Sequence, residues 1–200
     1  MIFVISGPSA SGKTTLVQHV RNVMPEVEFS ISCTTRPERP QDKNDAHDYD
    51  FVDRETFERR VQEGYFAEWA DVHGNFYGTP WNQINKASST SGGTTDVILD
   101  VDVKGAQNIK ERFPEAVLIF VVPPGIDELK NRLKRRNTET DESISQRLAS
   151  LREELSVIDQ YDYIIVNNTI EDSQREIESA IEIFRTRKER IDNVKKEYSG

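Results

Sequence analysis

Ile2-Phe3-Val4-Ile5-Ser6-Gly7-Pro8-Ser9-Ala10-Ser11-Gly12-Lys13-Thr14-Thr15 opens the chain with a short apolar run that feeds a glycine-rich turn and then a helical pattern. In such a turn the glycines let the backbone curl until successive N–H groups point inward. The cradle they make lies at a helix N-terminus, where anionic oxygens are favoured. The spacing of Gly7, Gly12, Lys13 and Thr14 fits a phosphate-binding loop in which the lysine reaches the β- and γ-phosphates and the threonine hydroxyl reaches Mg²⁺. Gly7, Pro8, Ser9, Ala10, Ser11, Gly12, Lys13, Thr14 and Thr15 are therefore expected to hold a nucleoside triphosphate.

Working outward, the apolar runs at 96–99, 116–122 and 163–166 are short and rich in β-branched residues, as strands buried on both faces should be. Helical patterns fall between and after them, over 13–24, 103–113, 127–135, 142–157 and 172–198. Alternating strand and helix predicts an α/β fold, a doubly wound parallel sheet built on the phosphate loop. Two stretches interrupt the alternation. Residues 33–95 are polar, loop-rich in pattern and carry most of the aromatics, which predicts an inserted substrate lobe. Residues 125–158 hold two helical segments dense in arginine and carboxylate, which suggests a lid. A low-complexity linker, 86–95, returns the chain to the core.

Composition narrows the function. The 200 residues suit one α/β domain with small inserted lobes. The 35 acidic against 26 basic residues give a net charge of −9, which argues against nucleic acid or an anionic membrane as the main partner. Met1 leads directly into the first apolar run, and no apolar stretch approaches the roughly 20 residues of a bilayer span, so a cytoplasmic location is expected. Cys33 is the single cysteine, so no intramolecular disulfide or thiolate metal cluster can form, and packing is its expected role. His19, His47 and His73 lack metal-ligand spacing.

Ser30-Ile31-Ser32-Cys33-Thr34-Thr35-Arg36-Pro37-Glu38-Arg39, His47-Asp48-Tyr49-Asp50-Phe51-Val52, Phe66-Ala67-Glu68-Trp69-Ala70 and Gly74-Asn75-Phe76-Tyr77-Gly78-Thr79 follow in that order. With Leu99-Asp100-Val101-Asp102, the lid and Ile165-Val166-Asn167-Asn168, this series resembles the guanylate kinase family nearly end to end. Two arginines three residues apart beside phenols suit a phosphate monoester, because guanidinium forks bind its oxygens in bidentate fashion. The resemblance assigns Arg36, Arg39, Tyr49 and Tyr77 to the GMP phosphate. It assigns Glu68, Asp102, Ser32 and Thr79 to guanine, whose N1–H and N2–H₂ donors call for a carboxylate and whose O6 calls for a hydroxyl. Adenine would leave a buried carboxylate unpaired. Asp100, ending an apolar strand beside the loop, reads as a second ligand for Mg²⁺ with Thr14, or as a helix-capping residue, an ambiguity Asp102 shares. The resemblance further implies that Arg132, Arg136 and Arg147 close over ATP and the transferred phosphoryl group, with Arg135 a bystander, and that Asn167 contacts adenine.

The expected reaction is MgATP + GMP ⇌ MgADP + GDP, with dGMP a further acceptor and the protein a monomer or homo-oligomer. One domain spans 1–200, with 33–95 the GMP-binding lobe and 125–158 the lid. Four features depart from the family's usual pattern. The stretch from Pro40 to Ala46 lacks the glycines normally found there and is one residue longer. Lys104 and Asn137 replace a glutamine and a glycine, and Asn168 replaces an aspartate. The competing readings are a P-loop kinase for a phosphorylated sugar, which has no use for a guanine reader, and a non-catalytic interaction module, in which loop and lid residues are commonly lost.

Overall fold

The computed structural model describes residues 1–38, 49–72, 74–88, 95–135 and 141–199. Strand β1 (Ile2–Ser6), buried along its whole length, is the middle strand of a five-stranded parallel sheet. The order is β2 (Val27–Phe29), β7 (Asp96–Asp100), β1, β8 (Val117–Val122) and β9 (Tyr163–Val166). Successive side chains of a strand point to opposite faces, so β1 belongs to two cores. Phe3 and Ile5 pack with Leu16 and Val20 of α1 (Lys13–Val23) and with Ile177 and Ile181 of α7 (Ile170–Tyr198). Ile2 and Val4 pack with Val103, Ala106 and Ile109 of α4 (Val103–Arg112). Helices on both faces of a parallel sheet are the doubly wound arrangement expected from the apolar runs. The crossing from β1 to α1 sets the phosphate loop at the carboxyl ends of the strands, where such folds bind ligands.

The segment expected to be loop-rich is more ordered than its composition suggests. It contains a four-stranded sheet in the order β4 (Tyr49–Phe51), β3 (Ser32–Thr34), β6 (Asn75–Pro80) and β5 (Phe66–Val72), with α2 (Arg54–Gln62) beside it. Cys33, Phe57 and Phe66 form its small core, the two phenyl rings stacked with centroids 4.6 Å apart. Buried Cys33 is a packing residue, and burial pushes its thiol up to about 11, so little thiolate exists near neutral pH. A short helix, α3 (Trp81–Ile84), follows β6. Helices α5 (Ile126–Arg135) and α6 (Asp141–Leu155) join through Leu129, Leu133, Ile144 and Leu151, and Ala10 of the β1–α1 loop packs against that cluster. No helix among the described residues is long and apolar enough to cross a membrane.

Candidate active site

The phosphate loop needs its glycines for two separate reasons. Gly7 has φ +135° and Gly12 has φ +99°, conformations that strain any residue with a Cβ. Both are also crowded: a Cβ on Gly7 would lie 2.1 Å from the Val121 carbonyl oxygen, and one on Gly12 would lie 2.1 Å from Asn167 Nδ2. Ala10, at φ +65°, is left-handed despite its Cβ. Lys13, the half-buried first residue of α1, folds over this turn and donates from Nζ to the carbonyls of Gly7 at 2.7 Å and Pro8 at 3.3 Å. Thr14 and Thr15 are exposed in the first turn of the helix. An ammonium held by two neutral carbonyl acceptors can exchange them for stronger anionic ones.

The Thr14 hydroxyl donates to Asp100 Oδ2 at 3.3 Å, which brings the first turn of α1 to the carboxyl end of β7. A hydroxyl and a carboxylate side by side are hard oxygen donors. Mg²⁺ is ordinarily held by one or two carboxylates and completed by water and substrate phosphates. Among the described residues no group of three or more His, Cys, Asp or Glu could hold a metal ion.

Thr14 and Asp100 line one narrow cleft with Ser32 and Tyr49 of the second sheet. Beside it the aromatic rings of Tyr49 and Tyr77 meet edge to face with centroids 6.1 Å apart. The Arg36 guanidinium lies 5.4 Å above the Tyr49 ring and 5.3 Å above that of Phe51. Arg36, Tyr49 and Tyr77, separated by up to 41 residues in sequence, are thus brought together by the parallel pairing of β3 with β4 and the antiparallel pairing of β3 with β6. Arg39 and Arg136 lie outside the described residues.

Glu68 and Thr79 face each other in the β5–β6 register, and the Thr79 hydroxyl donates to Glu68 Oε1 at 2.6 Å. Glu68 is only 7% exposed, and this burial pushes its carboxyl up to about 7, with nearby Asp102 adding to the rise while Thr79 and Arg112 oppose it. Asp102 caps α4 by accepting from the Gly105 N–H at 2.9 Å, and burial raises its pKa too. Its capping role is therefore observed, and it coexists with proximity to Glu68. A Cβ on Gly105 would lie 3.1 Å from both Asp102 Oδ1 and Glu68 Oε2, so the two carboxyls converge over a position where a side chain would crowd them. Arg112 fastens this corner by donating to the Ala67 carbonyl and covering the Trp81 ring at 5.3 Å.

Helices α5 and α6 reach the loop through one arginine each. Arg147 donates to Ser9 Oγ at 2.6 Å. Arg132 donates to the Ser11 carbonyl at 3.2 Å and the Asn167 carbonyl at 2.8 Å, and is held from behind by Glu128 at 2.8 Å. Asn167, expected at the adenine base, is 3% exposed and turned inward: Nδ2 donates to the Ser11 carbonyl at 2.7 Å and Oδ1 accepts from Ser173 Oγ at 3.1 Å. Sequence reading passed over Glu154, whose Oε2 is buried without a hydrogen-bond partner among the described residues. Burial raises its carboxyl, and Lys13, Asp102 and Arg147 all act on it electrostatically. Its signal was available, since Arg147, Leu151 and Glu154 follow i, i+4, i+7 spacing on one face of α6. Ser173 and Arg112 carry no comparable mark.

The guanylate kinase family model matches residues 1–183. A guanylate kinase of Myxococcus xanthus is 40% identical over 193 residues, covering 96% of this chain and 90% of that protein. One from Syntrophotalea carbinolica is 43% identical over 181 residues, covering 90% and 84% respectively. The crystal structure of guanylate kinase from Anaplasma phagocytophilum superposes with a TM-score of 0.71 at 33% identity, covering 92% of this chain and 85% of that one. A sugar kinase from Janibacter, at 17% identity and a TM-score of 0.51, shares the fold alone. The chain belongs to the guanylate kinase family.

Proposed function

We propose that this protein transfers the γ-phosphoryl group of ATP to the phosphate of GMP, giving ADP and GDP by in-line displacement without a covalent enzyme intermediate. The observation that carries this reading is one cleft bordered on one side by Thr14 and Asp100 and on the other by Ser32 and Tyr49. A donor triphosphate on the loop and an acceptor monophosphate on the second sheet would meet there. Lys13 and the arginines at 132, 136 and 147 would neutralise charge as it spreads over the transferred group, which is where preorganised cations help most. Thr14 and Asp100 would hold Mg²⁺, which would supply positive charge to offset that of the phosphates. Arg36, Arg39, Tyr49 and Tyr77 would bind the GMP phosphate, and Glu68, Asp102, Ser32 and Thr79 the guanine. Approach of the 33–95 lobe and the 125–158 lid to the loop would exclude water that could otherwise hydrolyse ATP. We place the reaction in the cytoplasm, with dGMP as a further acceptor and the protein a monomer or homo-oligomer.

The test is ADP release measured by a coupled assay with GMP, dGMP, AMP, UMP and ribose phosphates as acceptors. GMP should exceed AMP in kcat/KM by several orders of magnitude, the scale on which a site built to pair donors rejects an analogue lacking them. Equal turnover of AMP or of a sugar phosphate would overturn the guanine reading. Absence of turnover with every acceptor would favour the interaction module.

A further inference from the structure

The Ser11 carbonyl is held by two donors from different parts of the fold, Asn167 at the end of β9 and Arg132 on lid helix α5. A peptide unit is planar and trans, so its C=O and N–H point in opposite directions. Fixing the Ser11 carbonyl toward Asn167 therefore fixes the Gly12 N–H facing away from it. Ser173, 1% exposed in the first turn of α7, donates to Asn167 Oδ1, and the Asn167 backbone N–H is anchored on the Val122 carbonyl at 2.7 Å. The amide consequently has both ends engaged, and the close approach of Nδ2 to Gly12 leaves no room for a Cβ there.

From this geometry we infer that Asn167, backed by Ser173, is a positioning residue for the triphosphate: it sets the Ser11–Gly12 peptide so that an N–H is presented to phosphate, and it does not read the base. The inference rests on the phosphate-loop reading above. It also gives the paired donors separate tasks. Arg132 is a cation on the lid and can turn to the phosphoryl group, whereas Asn167 belongs to the sheet and keeps the loop in shape when it does.

The experiment uses inorganic tripolyphosphate, which has no base, as a calorimetric probe of the wild-type protein and of Asn167→Asp and Ser173→Ala, alongside kcat/KM with ATP and GTP as phosphoryl donors. Asn167→Asp is nearly isosteric but sets an acceptor against the Ser11 carbonyl. It should weaken tripolyphosphate and ATP by the same factor, about tenfold or more, with the ATP-to-GTP ratio unchanged. Ser173→Ala frees the amide and should shift both in the same direction by a smaller factor. It carries the test if thermal unfolding shows that Asn167→Asp is not folded. Tripolyphosphate binding unchanged in the folded variants, or a loss confined to ATP with a collapsed donor ratio, would overturn the inference in favour of base contact. Failure of the wild-type protein to bind tripolyphosphate at all would instead overturn the phosphate-loop reading itself.

Discussion

Glu68 is a carboxyl whose charge the unliganded fold opposes and whose proposed ligand requires. Burial moves it up to about 7, above its unfolded value of about 4.5, so folding favours its neutral form. Its contribution to stability is therefore complete below about pH 4.5 and is lost as pH rises through about 7. Guanine reverses the preference, because its N1–H and N2–H₂ groups donate to the ionised form. GMP affinity should fall as pH drops from 8 to 6, by more in wild type than in Glu68→Gln, whose remaining slope reports the nucleotide phosphate together with Asp102. Calorimetric GMP titrations of both proteins check this, and parallel pH profiles would show that Glu68 does not meet the base. Glu68→Gln should also lower kcat/KM for GMP far more than for AMP, since an amide presents its own donor to one of the guanine donors. Lys13 has a simpler task. Among the described residues its ammonium donates to the Gly7 and Pro8 carbonyls, so Lys13→Ala should retain its circular dichroism spectrum while turnover falls at least roughly 10²- to 10³-fold. Near-normal turnover would remove the loop from the chemistry.

At the scale of elements, the phosphate loop is where sequence and structure are most tightly linked. Gly7→Ala would combine a strained φ with a methyl group 2.1 Å from the Val121 carbonyl oxygen, and that oxygen belongs to sheet backbone, which cannot turn aside. The substitution should destabilise by at least about 2 kcal/mol, read as a lower urea midpoint with unchanged slope. The same loop was legible in the sequence because glycine spacing is a local signal, and β1, β7 and β8 were legible because burial on both faces leaves continuous apolar runs. Strands β2, β3 and β4 were not, since three residues each hold too little of a two-residue period. Helix α2 was missed because it buries Phe57 alone on an otherwise charged surface, although the Asp53 carboxylate accepting from the Thr56 N–H is a readable cap. The site divides in the same way. Spacing within the loop pointed to phosphate, but the inward turn of Asn167 depends on Ser11 and Ser173, 156 residues before it and six after it, which no local pattern relates.

For the whole molecule, an acidic chain must keep its carboxylates from repelling one another where elements meet, and Arg185 does this at the edge of the main sheet. Its guanidinium donates to Asp96 at 2.5 Å, Glu26 at 2.8 Å and Glu182 at 2.7 Å, and Asp96 also accepts from the N-terminal amino group. One side chain thus ties α7 to the start of β7, to the turn before β2 and, through Asp96, to the beginning of β1. Arg185→Ala would leave the Asp96 side chain, 12% exposed, with the amino terminus as its remaining cation. Arg185→Lys would supply charge without a planar fork able to engage several carboxylates. The network lies between a surface pair and a fully buried one, so the alanine variant should lose about 2 kcal/mol and the lysine variant about half of that. Arg185 holds the Glu26 carboxyl below its ordinary value of 4.5, so this stabilisation is present above about pH 4.5 and is lost as pH falls through the lowered value. The gap between wild type and Arg185→Ala in urea unfolding should accordingly be widest near pH 7 and narrow on acidification below about 4.5. Turnover at 25 °C should be unchanged, because Arg185 meets β7 at Asp96, at the other end of the strand from Asp100 in the cleft. A gap independent of pH, or a variant as stable as wild type at neutral pH, would show that the packing of Ile177, Ala180 and Ile181 holds α7 without this electrostatic tie.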